Sequence, residues 1–235
     1  MWSLDELKTK LEAISSLEYN IDDIQSKTLK EAAILVPIII KNDTPYVLLT
    51  VRSMNLTDYP GQVSFPGGKR DKEDVDIVAT ALRETQEEIG MSSEHLKILG
   101  SLLPYVTQTN FLVIPVIAEV LNYENFKPKL NPFEVCEILT VPLEIFIMKK
   151  YHKCKKFPFE EKLTDVDFFE FEDSGESVHI IWGLTALIAT HVASLLFERI
   201  PEFQYQGWLS KTSSKNPKDK IYNKLILYRT NRSKL

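Results

Sequence analysis

The chain has 235 residues, 44% of them hydrophobic and 26% charged, which is enough for one sizeable core or at most two small ones. Its 33 acidic side chains outnumber 28 basic ones, a net charge of −5 that argues against the basic face needed for bulk nucleic-acid binding. Two cysteines, Cys136 and Cys154, are too few for a disulfide scaffold and fit a reducing or neutral compartment.

Leu4, Leu7, Leu11 and Ile14 recur at helical spacing behind early acids. Residues 1–30 are therefore expected to form a helical extension packed on the domain, with neither the pattern of a signal peptide nor that of an Arg-rich transit peptide. Strands are expected over 33–40 and 46–51, joined by the polar turn 41–45. A loop over 52–62 leads to a short extended piece at 63–65. Gly67 and Gly68 then read as a sharp turn before a helix over 76–89. Strands follow over 96–105, 112–121 and 137–141, and a later pair over 168–171 and 178–181 is separated by 172–175.

Residues 184–199 read as a second strong helix. Thr185, Thr190, His191 and Ser194 interrupt its apolar run, and 32–40 is too short to span a bilayer, so no membrane span is expected. More strands than helices, with mostly short connections, point to an α+β domain over 31–205, a mixed sheet with helices on its faces. Residues 206–235 form a C-terminal segment ending in Ser233, Lys234 and Leu235. That tripeptide is read by the peroxisomal import receptor, so the receptor is an expected partner and the peroxisome the expected location.

The 76–89 helix carries an unusual charge pattern. At 100° per residue, Val78, Ala81, Leu82, Thr85 and Ile89 form one stripe, and Glu84, Glu87 and Glu88 crowd the adjacent face. Each like-charge neighbour pair costs a few tenths of a kcal/mol on an exposed helix. The macrodipole also disfavours negative charge toward the helix C-terminus. A solvated acidic face is the plain alternative. A divalent cation relieves both penalties, because carboxylate oxygens are the hard ligands Mg²⁺ prefers. Pro66, Gly67 and Gly68 before the helix, and Gly90 as a left-handed terminator after it, complete a loop–helix–loop unit.

Gly68, five residues, Asp74, eight residues and then Arg83-Glu84-Thr85-Gln86-Glu87-Glu88-Ile89-Gly90-Met91 resembles the Nudix box. The stretch departs from that pattern by one extra residue before Arg83, by Asp74 for the first Glu and by Thr85 for an aliphatic residue. The Arg-Glu-x-x-Glu-Glu-x-Gly half, which carries the family's metal ligands, is intact. The coenzyme A diphosphatase branch has similar spacing, and Leu48-Leu49-Thr50-Val51-Arg52-Ser53 leading into Phe65-Pro66-Gly67-Gly68 resembles its upstream signature. Thr57 stands where members of that branch usually carry Arg. Segments 131–135, 141–143 and 182–186 resemble parts of its peroxisomal members.

The resemblance implies a Nudix fold, an α/β/α sandwich with a mixed β-sheet, helices on both faces and a loop–helix–loop metal site. It also implies metal-dependent hydrolysis of the diphosphate bond of coenzyme A and acyl-CoA to 3′,5′-ADP and (acyl-)4′-phosphopantetheine. Glu84, Glu87 and Glu88 would hold Mg²⁺ or Mn²⁺, and Arg83 would orient those carboxylates. Glu87 would be the general base, with Glu134 or Glu137 as alternatives, and Arg52, Gly67 and Gly68 would meet the substrate. Two other readings stay open: a Nudix hydrolase of another nucleoside diphosphate such as NADH or ADP-ribose, and a catalytically silent Nudix ligand-binding module. His95, His152, His179 and His191 show no ligand spacing.

Overall fold

The computed structural model describes residues 2–15, 29–107, 109–159, 162–173 and 177–203. The C-terminal tripeptide lies outside the described residues. The chain divides into two compact units, one over Leu4–Pro142 and the other from Leu143 onward with residues 1–3.

The first unit is built on a mixed sheet. Its strands are β1 (Lys30–Lys41), β2 (Thr44–Arg52), β3 (Val63–Ser64), β4 (Gly67–Lys69), β5 (Leu96–Ser101), β6 (Tyr105–Val106), β7 (Phe111–Val120) and β8 (Val135–Pro142). The path runs β3-β2-β1-β7-β5, with β4 paired to β1, β6 to β7 and β8 to β2. β1 and β7 run parallel, and every other pairing is antiparallel. β1 is buried almost continuously, as a central strand covered on both faces should be.

Helix α2 (Ile77–Ile89) lies on one face, where Ala81 and Ile89 pack with Ala33, Leu35, Ile39, Leu48, Ala118 and Val120. Helix α1 (Leu4–Ser15) lies on the other. It packs on β5, and a Cβ added at Gly100 would stand 2.8 Å from Leu11 Cβ. Gly100 pairs with Ile117, whereas the preceding partner pair, Ile98 with Ala118, belongs to the α2 face. A register shift between Ile98 and Gly100 changes the face that β5 presents. The expected architecture, helices on both faces of a mixed sheet, is thus present.

Three expectations need correction. Gly67 and Gly68 form not a sharp turn but the strand β4, in which Gly67 sits opposite Ile34 at φ 148°. A Cβ there would lie 2.3 Å from the Ala33 carbonyl oxygen, so only glycine lets β4 approach β1. The strand expected over 96–105 is broken between Ser101 and Tyr105, and Leu102 instead donates its N–H to Pro115 O at 3.0 Å. The later strand pair is three strands long.

That triplet belongs to the second unit, a sheet in the order β11-β10-β9 formed by β9 (His152–Phe159), β10 (Lys162–Asp173) and β11 (Ser177–Trp182). Helix α3 (Gly183–Phe197) packs on β10 and β11. Phe146 and Phe169 meet edge to face at 5.1 Å in its interior. His152 stacks on Phe203 and shares a 2.7 Å contact with Asp167. His191 is buried in α3, and burial pushes its imidazole down to about 3, so it is neutral at ordinary pH. No helix among the described residues is long and apolar enough to cross a membrane.

Candidate functional site

The site grows from the ends of α2. Asp76 caps its N-terminus, its Oδ1 accepting from Ala79 N–H at 2.7 Å. Gly90 closes its C-terminus at φ 74°, donating to Gln86 O at 3.0 Å. The buried residues are Thr80, Ala81, Thr85, Glu88 and Ile89, so the helix buries three of the five stripe residues, keeps Val78 and Leu82 partly buried against the core, and buries Thr80 and one carboxylate besides. Thr85 occupies an aliphatic position without strain because its hydroxyl donates to Ala81 O at 2.7 Å.

Arg83 organises the outer side of the cluster. Its Nε donates to Asp74 Oδ1 at 3.0 Å and its Nη2 to Asp74 Oδ2 at 2.9 Å, a two-pronged pair. Nη2 also donates to Lys69 O at 3.0 Å, which ties α2 to the end of β4. Nη1 reaches Glu84 Oε1 at 3.0 Å and Glu87 Oε2 at 3.2 Å. Asp74 is buried and also accepts from Thr80 Oγ1 at 2.9 Å and from Asp71 N–H at 2.9 Å. These bonds, Arg83's first, hold its carboxyl well below the usual carboxylate range. The extra residue before Arg83 and the Asp74 substitution therefore leave an intact anchor for the arginine.

The three glutamates occupy three different environments. Glu87 is exposed and paired with Arg83. Glu84 is largely buried against Gly68, and burial pushes its carboxyl up against the opposing pull of Arg83. Glu88 is 7% exposed, and its Oε2 is buried with no hydrogen-bond partner. Burial first, then the charges of Glu84 and Glu134, push it up to about 8, against a hydrogen bond from the Gly67 N–H and the charge of Arg52.

Glu134, 46 positions beyond Glu88, reaches this cluster through a turn. Asn131 N–H donates to Glu88 O at 2.9 Å, and Glu134 N–H and Val135 N–H donate back to Asn131 O at 3.0 and 2.8 Å. Ser53 fixes the other side, donating its N–H to Glu134 O at 2.8 Å and its hydroxyl to Pro132 O at 3.1 Å. Arg52, beside Ser53, donates through Nη2 to Asp58 O at 3.2 Å, while its Nε is buried with no partner.

The structure thus brings Glu84, Glu88, Glu134, Arg52, Gly67 and Gly68 together and turns Glu87 outward to Arg83. Among the described residues, no three His, Cys, Asp or Glu side chains lie close enough together, as they stand, to hold a metal ion. The donor chemistry nevertheless fits a hard divalent cation. A buried carboxylate oxygen with no donor beside two further carboxylates is costly unless a cation joins it. The Gly68 backbone leaves the space that the Glu84 carboxylate occupies. Glu134 and Asp74 are the two members whose parts the sequence did not decide. The signal for Glu134 was its place in the Asn131–Val135 segment, and for Asp74 its spacing from Arg83.

The NUDIX domain family model matches residues 29–163. The chain belongs to the Nudix hydrolase family. It is 34% identical over 194 residues to Nudix hydrolase 22, chloroplastic, of Arabidopsis thaliana, covering 82% of this chain and 64% of that protein. It is 37% identical over 173 residues to the peroxisomal coenzyme A diphosphatase NUDT7 of Mus musculus, covering 73% of this chain and 72% of that one. Nudix hydrolase 15, mitochondrial, of Arabidopsis thaliana is 35% identical over 74% of this chain. The chain spans 64% and 61% of the lengths of the two plant relatives. Among solved structures, a C. elegans Ap4A hydrolase binary complex superposes with a TM-score of 0.42 at 24% identity, covering 49% of this chain and 82% of that one.

Proposed function

We propose that this Nudix hydrolase cleaves the diphosphate bond of coenzyme A and acyl-CoA, releasing 3′,5′-ADP and (acyl-)4′-phosphopantetheine, in the peroxisome. The observation that carries the chemistry is the buried, unpartnered Glu88 Oε2 beside Glu84 and Glu134. The substrate class is supported by the similarity to the mouse peroxisomal coenzyme A diphosphatase over 73% of this chain and 72% of that one. It is also supported by the Leu48-to-Ser53 and Phe65-to-Gly68 stretches, which in the fold border the carboxylates. The location rests on Ser233, Lys234 and Leu235 together with that relative.

Glu84 and Glu88 would hold Mg²⁺ or Mn²⁺, and Glu87, once its carboxylate leaves Arg83, would either complete that set or serve instead as the base. A divalent ion bound there would offset the diphosphate's charge and lower the pKa of a water molecule. Arg83, fixed by Asp74, keeps Glu84 turned toward Gly68. β4, short of side chains, lets the diphosphate approach the backbone at Gly67 and Gly68. Arg52, whose charge reaches Glu88, would add a positive charge for the phosphates. Glu87 is the solvent-accessible carboxylate of the helix and is the base in this reading. Glu134, which faces Glu84 and Glu88, is the second candidate.

The test is to incubate the purified protein and Mg²⁺ with CoA, acyl-CoAs, NADH and ADP-ribose and to chromatograph the products. Release of 3′,5′-ADP from CoA or acyl-CoA is expected. Turnover of NADH or ADP-ribose alone would move the protein to another substrate class, and no turnover of any would favour the silent module. Glu87→Gln and Glu134→Gln, compared at saturating substrate, identify the base by the larger loss in kcat. A tagged chain lacking Ser233, Lys234 and Leu235 is expected to remain in the cytosol, and peroxisomal import of that truncated chain would refute the signal.

A further inference from the structure

The turn that delivers Glu134 carries a second feature that the hydrolysis itself does not use. Phe133, one residue before Glu134, is 77% exposed, a large apolar side chain left in water. It is also held in place. Its own N–H donates to Asn131 Oδ1 at 3.2 Å, and the residues on either side of it, Pro132 and Glu134, both offer their carbonyls to Ser53. Ser53 is followed by Met54, 72% exposed, and the same loop bears Tyr59 at 56%. Three large apolar side chains therefore stand in water on two loops that are hydrogen-bonded to each other and flank the carboxylate cluster. Exposed apolar groups on rigid backbone are preorganised contacts, because little ordering entropy remains to be lost when something covers them.

The charge of this bank selects what covers it. Over residues 52–59 and 131–137 the charged side chains are Asp58, Glu134 and, opposite Val51 on β8, Glu137, against Arg52, with Lys127 and Lys129 preceding the turn at the Gly90 end of α2. A substrate arm bearing a phosphate is repelled there, whereas an uncharged, partly apolar arm is not. We infer that Phe133, with Met54 beside its anchoring serine, contacts the uncharged pantetheine–acyl arm of the substrate, so that this bank sets the preference for acyl-CoA over free CoA. The inference rests on the proposed coenzyme A diphosphatase reading. Phe133 acts on specificity and takes no part in the bond cleavage.

The test measures kcat/KM for free CoA and for acyl-CoAs of increasing chain length with wild type, Phe133→Ala and Phe133→Leu, all with Mg²⁺. It adds calorimetric binding of an S-dodecyl-CoA thioether to each protein in the presence of a chelator, so that the diphosphate is not cleaved during the measurement. Phe133→Ala is expected to lose activity progressively with chain length, by roughly tenfold for a long acyl chain, the equivalent of one or two methylenes of lost burial. The thioether affinity should fall in parallel, and Phe133→Leu should recover most of both. A loss equal for CoA and every acyl-CoA would put the ring on a part common to all of them, such as the nucleobase, and overturn the inference. No loss at all would overturn it too. Either result leaves the coenzyme A reading standing. A wild type that releases no 3′,5′-ADP from any of these substrates removes that reading and this inference with it.

Discussion

Gly67 and Gly68 are neighbours in one short strand, yet alanine at each is expected to do opposite things. A Cβ on Gly68 would stand 2.4 Å from Cδ and both oxygens of Glu84. An ordinary contact needs about 3.5 Å, so the carboxylate has to retreat by about 1 Å. It retreats alone, because the Arg83 that holds it at 3.0 Å is itself fixed by Asp74. Misplacing a reacting group by about 1 Å costs on the order of 100-fold in rate, or about 2.7 kcal/mol of barrier. The fold loses little, since what moves is the far end of one side chain, and Gly68→Ala should unfold within a few degrees of wild type. A Cβ on Gly67, by contrast, meets backbone: Ala33 O at 2.3 Å and Ile34 Cα at 2.6 Å, from a φ of 148°. Neither can withdraw without moving β1. Strain and overlap together are worth about 2–5 kcal/mol, a fall in Tm of about 5–15 °C for a chain of this size. Melting curves and kcat on the best wild-type substrate, measured on both variants, separate the two. Wild-type turnover in Gly68→Ala, or a loss of Tm in it as large as that of Gly67→Ala, would refute the placement of Glu84 against β4.

Two further outcomes follow from the same geometry. Arg83→Lys removes the fork to Asp74 while keeping the charge, so kcat should fall about 10- to 100-fold with KM little changed; an effect confined to KM would count against an orienting role. With metal chelated, Glu88 titrates near 8 in the folded chain and near 4.5 when unfolded. Between those values the folded state binds the extra proton, so stability falls as pH rises from about 4.5 to 8. Glu88→Gln should flatten that slope and raise Tm at pH 8, lose the stabilisation that Mg²⁺ gives wild type, and abolish turnover. Parallel pH slopes for the two proteins would show that Glu88 is not the buried charge.

The elements legible in the sequence are those whose pattern is local. The α2 helix carries its apolar stripe, its Asp76 cap and its Gly90 terminator within fifteen consecutive positions, from Asp76 to Gly90, so its bounds came out within a residue. β1, β2 and β7 are apolar runs that fit nothing but a buried sheet. β4 was not legible, because two glycines carry no side-chain pattern; only the approach of β1, some thirty-five residues earlier, makes it a strand. β9 was missed for a related reason. Three lysines occur among its first five residues, and only its pairing with β10 makes it extended.

The carboxylate cluster shows the same boundary more sharply. Helical geometry alone puts Glu84, Glu87 and Glu88 on one arc and makes them look equivalent. They are not, and what separates them lies outside the helix. β4 covers Glu84, the Asn131 turn and Gly67 close over Glu88, and among the described residues nothing comparable reaches Glu87, which stays in solvent with Arg83. A pattern of charge on one helix therefore says that a cation is wanted, while the division of labour among the charges is written in the segments that fold over them. The same holds for Asp74. Its distance from Arg83 in sequence departs from the family pattern by one residue and leaves its role open. Its two bonds to that arginine show that the longer loop still carries it to Arg83.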